Sequence, residues 1–131
     1  MINNYKKIVI KIGSSSIINN KTKKINSKWM IRLCKDIEKY HKDKNIIIVC
    51  SGAIALGSSL IKKNISLTKL EDKQAAASVG QIELAHQWRQ NLKEHKINIA
   101  QVLLTLEDSE VRRRFLNARK TINTLLKNKI I

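Results

Sequence analysis

The sequence predicts an α/β fold built on a mainly parallel sheet, and three observations carry that prediction. Ile46–Val49 is a run of four β-formers that stops at Cys50-Ser51-Gly52, where a small-residue helical pattern (Ala53, Ile54, Ala55, Leu56) begins at once. An uninterrupted apolar run turning straight into a helix is the pattern of a buried parallel strand. Ile8–Ile12 runs in the same way into Gly13-Ser14-Ser15-Ser16, and an amphipathic helical pattern separates the two runs. The unit is strand, loop, helix, strand, with a right-handed crossover. Two strand ends that each open into a small polar loop place one site at the C-terminal edge of the sheet.

In chain order, Tyr5–Ile12 is the first strand, with Lys11 set among Ile8, Val9, Ile10 and Ile12. A lysine inside a buried-strand pattern is costly unless it reaches an anion or a cleft, or snorkels to water from the strand end. Ile17–Lys24 reads as a polar, basic excursion with hairpin-like turn residues and solvent-facing charges. From Asn26 or Ser27 a helix runs to about Lys42, with Met30, Leu33, Cys34, Ile37 and Tyr40 on one stripe and Trp29 and Tyr40 at the core or its rim. The central strand follows. The helix opening at Ser51-Gly52 exposes unpaired N–H groups at the positive end of its dipole, a place for an anion.

That helix is expected to end near Lys62-Lys63-Asn64. Thr68 and Glu71 read as a capping box for a long helix over Lys69–His95. Gly80, with Ala75, Ala76, Ala77 and Ser78, gives that helix a smooth face for close approach, through packing or proximity to a ligand. Ile97–Leu104 reads as a third strand, and Thr105-Leu106-Glu107-Asp108 as a capped turn into a short helix. Arg112-Arg113-Arg114 reads as a solvated face or subunit contact, with phosphate binding as the alternative. A final helix from Asn117 carries Ala118, Ile122, Leu125 and Leu126 on one face, and Asn128–Ile131 looks like the entry to a fourth strand.

Composition narrows the chemistry. A chain of 131 residues holds one domain with a real core. The formal charge of +16 comes mostly from lysine (20, against 6 arginines) in a chain with 21 isoleucines, 12 asparagines and no proline. Those residues follow A- and T-rich codons, so specific nucleic-acid binding is not expected from the charge. The only glycines are 13, 52, 57 and 80, which excludes the GxxxxGK[ST] and GxGxxG loops. His41, His86 and His95 lack metal-ligand spacing, and no Ser-His-Asp set or acid pair is legible. Cys34 and Cys50 suit neither a disulfide framework nor a metal site, which fits a reducing cytoplasm. The N-terminus lacks the pattern of a signal peptide, and the uncharged run Asn45–Ile61 is too polar for a membrane span. What remains is a strand-end lysine and two anion loops, equipment for phosphoryl transfer by positioning and charge stabilisation.

Five motifs carry a family resemblance: IVIKIGSSS (Ile8–Ser16), IVCSGAIALG (Ile48–Gly57), KQAAASVGQ (Lys73–Gln81), QVLLT (Gln101–Thr105) and RRRFLNARKTINTLL (Arg112–Leu126). In this order and spacing the chain resembles the N-terminal part of the glutamate 5-kinases of the amino acid kinase family. The resemblance implies a three-layer αβα sandwich, with residues 1–131 the N-terminal portion of a single kinase domain. It implies transfer of the ATP γ-phosphate, with Mg²⁺ carried on the nucleotide, to the γ-carboxylate of L-glutamate in the first step of proline synthesis. Lys11 then matches the catalytic lysine on the ATP phosphates, Gly13 and Ser14 the loop facing them, and Ser51, Gly52 and Ala53 the glutamate-binding loop. No metal-ligating residue is implied in this stretch. Cys50 departs from the small residue that is common there. A cytoplasmic homo-oligomer is implied for the complete enzyme.

In that family the domain continues past the position matched by Ile131, so the chain is expected to be a truncated form, inactive on its own unless a second polypeptide completes it. The alternatives are a related phosphotransferase acting on another acid, and a non-catalytic basic remnant that binds nucleic acid or a partner.

Overall fold

The computed structural model describes residues 4–19, 21–22, 24–61 and 66–131. The elements in order are β1 (Lys7–Ile12), α1 (Ser14–Ile17), α2 (Ser27–His41), β2 (Asn45–Cys50), α3 (Ala53–Leu60), α4 (Leu70–Lys93), α5 (Glu107–Glu110) and α6 (Arg112–Lys127). β1 and β2 pair in parallel, with Lys7 opposite Asn45 and Ile12 opposite Cys50. This is the parallel α/β fold that the two strand-to-loop patterns imply.

Side chains alternate across the pleat. Ile12 and Ile46 are buried and, with Ile10 and Ile48 beside them, pack against Met30, Cys34 and Ile37 of α2 and Leu84, Trp88 and Leu92 of α4. The opposite face holds Val9, 62% exposed, Lys11, and Val49, 49% exposed. The first strand is therefore half-buried, and Lys11 stands on its open face. At the start of the sheet, Lys44 Nζ donates to the Tyr5 carbonyl at 2.8 Å.

α2 follows its apolar stripe, with Met30, Cys34 and Ile37 buried and Leu33 and Tyr40 at the rim of the core. The polar excursion closes as expected, through an antiparallel bridge between Ile18 and Ile25, with Lys21 and Lys24 exposed. Asn20 and Lys23 of that stretch lie outside the described residues, as does the expected end of the next helix at Lys62–Asn64.

α4 buries Ala76, Gly80, Leu84, Trp88 and Leu92, one row at four-residue spacing. Such a row runs oblique to the helix axis, so its two ends meet different partners. The small end meets α3: a Cβ on Gly57 would overlap the Ala76 carbonyl oxygen, and one on Gly80 would overlap that of Ala53. The large end enters the core. Gly80 is thus a packing glycine, as the smooth-face reading allowed.

Four expectations need correction. The serines after Gly13 form a single helical turn, α1, anchored by fully buried Ile17. There is no Thr68–Glu71 capping box: α4 begins at Leu70, so Lys69 takes the cap position and Glu71 falls one place too early to reach back. Thr68 Oγ1 instead hydrogen-bonds Ser66 Oγ at 2.6 Å. α6 begins at Arg112, which puts the arginine cluster in its first turn, against the helix dipole. The acidic α5 offsets that, with Arg114 Nη1 2.6 Å from Glu107 Oε2.

The fourth correction concerns Ile97–Leu104, which carries no strand ladder among the described residues. It has one parallel rung, from Ala100 N–H to the Ile131 carbonyl at 2.8 Å and from Ile131 N–H to the Asn98 carbonyl at 3.1 Å. β-propensity favours an extended chain but supplies no partner, and a single rung does not make a strand. α4 and α6 lead into this rung by the same device. Lys96 (φ 59°) and Lys129 (φ 56°) adopt the left-handed conformation, while Ile97 N–H bonds the Leu92 carbonyl and Ile130 N–H that of Leu125. These are Schellman endings with lysine where glycine is favoured.

Candidate active site

The parallel pairing puts the C-terminal ends of β1 and β2 side by side, and the ladder's last bond runs from Ser51 N–H to the Ile12 carbonyl at 3.1 Å. Beyond it both chains turn into helices. Lys11 is the penultimate residue of β1, opposite Val49. Gly13 precedes α1, accepting from Ser16 N–H at 3.2 Å, and Ser14 is its first residue. On the second strand Ser51 follows Cys50, Gly52 precedes α3, and Ala53 is its first residue.

Gly52 joins the two loops. Its φ of +120° is a conformation that side chains disfavour, and it lies against the other loop. A Cβ there would sit 3.6 Å from Ser14 Cα, 3.7 Å from Ser14 Cβ and 3.1 Å from Ile18 Cδ1. Glycine is what lets the strand ends close on one another. All six residues singled out in the sequence, Lys11, Gly13, Ser14, Ser51, Gly52 and Ala53, therefore gather at one edge of the sheet.

The electrostatics favour an anion. α3 has no side-chain cap on its first turn, and its first backbone ladder bond is Leu56 N–H to the Gly52 carbonyl at 2.9 Å, so the N–H groups of Ala53, Ile54 and Ala55 lie ahead of the ladder. Ser51, Gly13, Ser14 and Lys11 are exposed, and no acidic residue lies in the first turn of α1 or α3. Burial pushes the neighbouring Cys50 thiol up; the Trp88 indole N–H offsets part of that shift without reaching hydrogen-bond geometry. Cys50 is thus a neutral thiol near pH 7. Among the described residues no group of three or more His, Cys, Asp or Glu side chains could hold a metal ion.

One support went unread in the sequence, and a second was read without its partner. Ile17 and Ile18, both buried, anchor α1 and place Ile18 under Gly52; their signal was an isoleucine pair opening an otherwise polar run. Gly80 fixes the start of α3 by its fit against Ala53, a role visible only once the two helices are packed together.

In an open α/β sheet the carboxyl ends of the parallel strands, where the chain turns into helices, are where ligands bind. Residues 6–131 match the amino acid kinase family, and the chain belongs to it. It is 45% identical over 126 residues to a glutamate 5-kinase of Rhodopseudomonas palustris (strain HaA2), covering 95% of this chain and 34% of that protein. It is 47% identical over 126 residues to a glutamate 5-kinase of Paramagnetospirillum magneticum, covering 93% and 33%. With glutamate 5-kinase 1 of Rhizobium meliloti it shares 46% over 127 residues, covering 96% and 32%. The chain spans about a third of the length of these curated relatives. No helix among the described residues is long and apolar enough to cross a membrane.

Proposed function

We propose that the chain supplies the phosphate-facing and acceptor-facing loops of a glutamate 5-kinase. The observation that carries this reading is the closure of Gly52 onto Ser14, which brings the strand-end cation, the first loop and the open start of α3 to one edge. In the reaction, an oxygen of the L-glutamate γ-carboxylate attacks the γ-phosphorus of ATP. A new carboxyl O–P bond forms, and the bond to the bridging oxygen breaks, its electron pair leaving with ADP. Such a step needs positioning and charge stabilisation more than covalent help from the protein.

Lys11 offsets charge on the transferring group, Gly13 and Ser14 border it, and Ser51 with the N–H groups at Gly52 and Ala53 holds the glutamate carboxylate. Mg²⁺ would come with the nucleotide phosphates, since the residues gathered here are donors and a cation. On the same reading the product, glutamyl 5-phosphate, enters proline synthesis in the cytoplasm, and the complete enzyme is a homo-oligomer.

The test is a chimera in which this chain replaces the matching third of the Rhodopseudomonas palustris relative. ATP- and glutamate-dependent phosphoryl transfer is expected, with Lys11→Ala lowering kcat by about a hundredfold or more at unchanged stability. Ser51→Ala is expected to weaken glutamate binding by about 1–3 kcal/mol while leaving ATP nearly unaffected. Near-normal turnover with Lys11→Ala, or an equal loss of both substrates with Ser51→Ala, would refute the assignment.

A further inference from the structure

The charge of this chain is unevenly spread. Residues 1–35 hold nine lysines and arginines and no acid, and α2 gathers part of that excess on one face. At about 100° per residue, Lys28, Arg32, Lys35, Lys39 and Lys42 fall within an arc of about 80°, centred opposite the buried stripe of Met30, Cys34 and Ile37. All five are exposed, and Lys42, at the C-cap, keeps helical dihedrals, so the row runs unbroken. It is roughly 20 Å long, with one cation per about 5 Å. Lys21 and Lys24, both exposed, stand in the turn that leads into α2, where Asn19 Oδ1 accepts from Lys21 N–H at 2.9 Å and Thr22 N–H at 3.1 Å.

This ridge runs against the local preferences of a helix. Its neighbours three or four residues apart carry like charge, which destabilises a helix, and Lys28 lies in a first turn with no acid and no side-chain cap. The two acids of α2 stand on the flanks, each with a partner: Asp36 Oδ1 lies 2.8 Å from Lys39 Nζ, and Glu38 Oε2 lies 2.7 Å from His95 Nδ1. The Asp36 pair is exposed on both sides and contributes little. A- and T-rich codons account for many lysines but not for their phase on one helix. A row of cations with so little compensation is met by a row of anions.

The kind of anion is narrowed by what surrounds the ridge. Trp29 and Tyr40, the aromatic residues of α2, pack against the core, so among the described residues no ring of this helix is free to stack an unpaired base. The apolar stripe of α2 is buried, and Ile31, 42% exposed, is too little apolar surface for an interfacial membrane helix. A straight, rigid row of cations fits a rigid row of phosphates, which a duplex presents at one per about 3.4 Å on each strand. We propose that the outer face of α2 is a docking surface for double-stranded nucleic acid, held through its phosphate backbone without sequence preference. Ridge cations displace counterions from the phosphates, and no base edge is read. The proposal goes beyond the kinase reading and does not rest on it.

The test is fluorescence anisotropy of the full 131-residue chain with a mixed-sequence DNA duplex of roughly 20 base pairs, across about 50–200 mM salt. Micromolar binding is expected, with a slope of roughly −4 in log K against log salt. Arg32→Gln with Lys35→Gln should weaken binding about tenfold or more and flatten the slope by about 2. Arg113→Gln with Lys120→Gln removes the same charge from exposed positions of α6 and should weaken binding no more than about threefold. Acetylation of the wild-type chain with and without duplex decides the question even if a variant fails to fold: Lys28, Lys35 and Lys39 should be protected about threefold or more, and Lys120 left unprotected. Equal losses in the two double variants would overturn the proposal, since net charge alone would then suffice. So would binding that ignores salt, tighter binding to a single strand of the same length, protection away from the ridge, or binding to phosphatidylglycerol vesicles and not to the duplex.

Discussion

Replacing Gly80 by alanine should lower stability, although alanine is the better helix former. In an exposed helix the exchange would gain about 1 kcal/mol. Here the added methyl would fall 2.5 Å from Gly57 N and 2.8 Å from the Ala53 carbonyl carbon, and would overlap the Ala53 oxygen. Carbon atoms pack at about 3.5–4.0 Å, so α3 and α4 must separate by roughly 1 Å. The obstructing atoms are backbone, and no rotamer change relieves them. An overpacking cost near or above the upper end of the usual range, about 3 kcal/mol, leaves a net loss of about 2 kcal/mol after the propensity gain. For a chain of this size that lowers Tm by roughly 8 °C. The assay is urea and thermal unfolding followed by circular dichroism. Gly57→Ala, which would overlap the Ala76 oxygen, should behave alike, and the double variant should lose less than the sum, because the helices part only once. A stability unchanged or raised by about 1 kcal/mol in Gly80→Ala would refute the packing argument.

Other outcomes follow from the same geometry. Gly52→Ala should cost about 1–2 kcal/mol in unfolding free energy, because its φ of +120° and the Ile18 methyl 3.1 Å from the new Cβ both oppose a side chain. Lys96→Gly and Lys129→Gly should each raise the unfolding free energy by about 1 kcal/mol, read as a higher urea midpoint, since both lysines hold positive φ at helix ends. Burial, with the Glu94 charge adding to it, pushes the Cys34 thiol from 9.0 up to about 11, so alkylation at pH 8 should run about a hundredfold below that of an ordinary thiol. The folded state holds the proton that the unfolded state releases above pH 9, so unfolding free energy should be insensitive to this group below pH 9 and fall as pH rises towards 11. Thr105, through its N–H and then its hydroxyl, holds the Asp108 carboxyl below its usual range, so its contribution should be present above pH 4 and lost as pH falls below about 3.8.

The sequence by itself determined the parallel pair, the amphipathic α2 and the six residues at the strand ends, because each rests on local information. Apolar runs of strand length, a stripe at helical spacing and glycine beside serine at a strand end read the same in any surroundings. Tertiary structure decided what depends on a partner. Whether Ile97–Leu104 is a strand depends on what pairs with it, and within the described residues only Ile131 does. Gly80 could serve packing or a ligand in sequence; its fit against Ala53 decides for packing and fixes the start of α3. Lys11 read as a lysine in a buried strand, yet the face it occupies is open, because the helices that pack on the pair lie against the side of Ile12 and Ile46. Alternation in a strand divides residues between two faces, and only the packing of other elements says which face is covered.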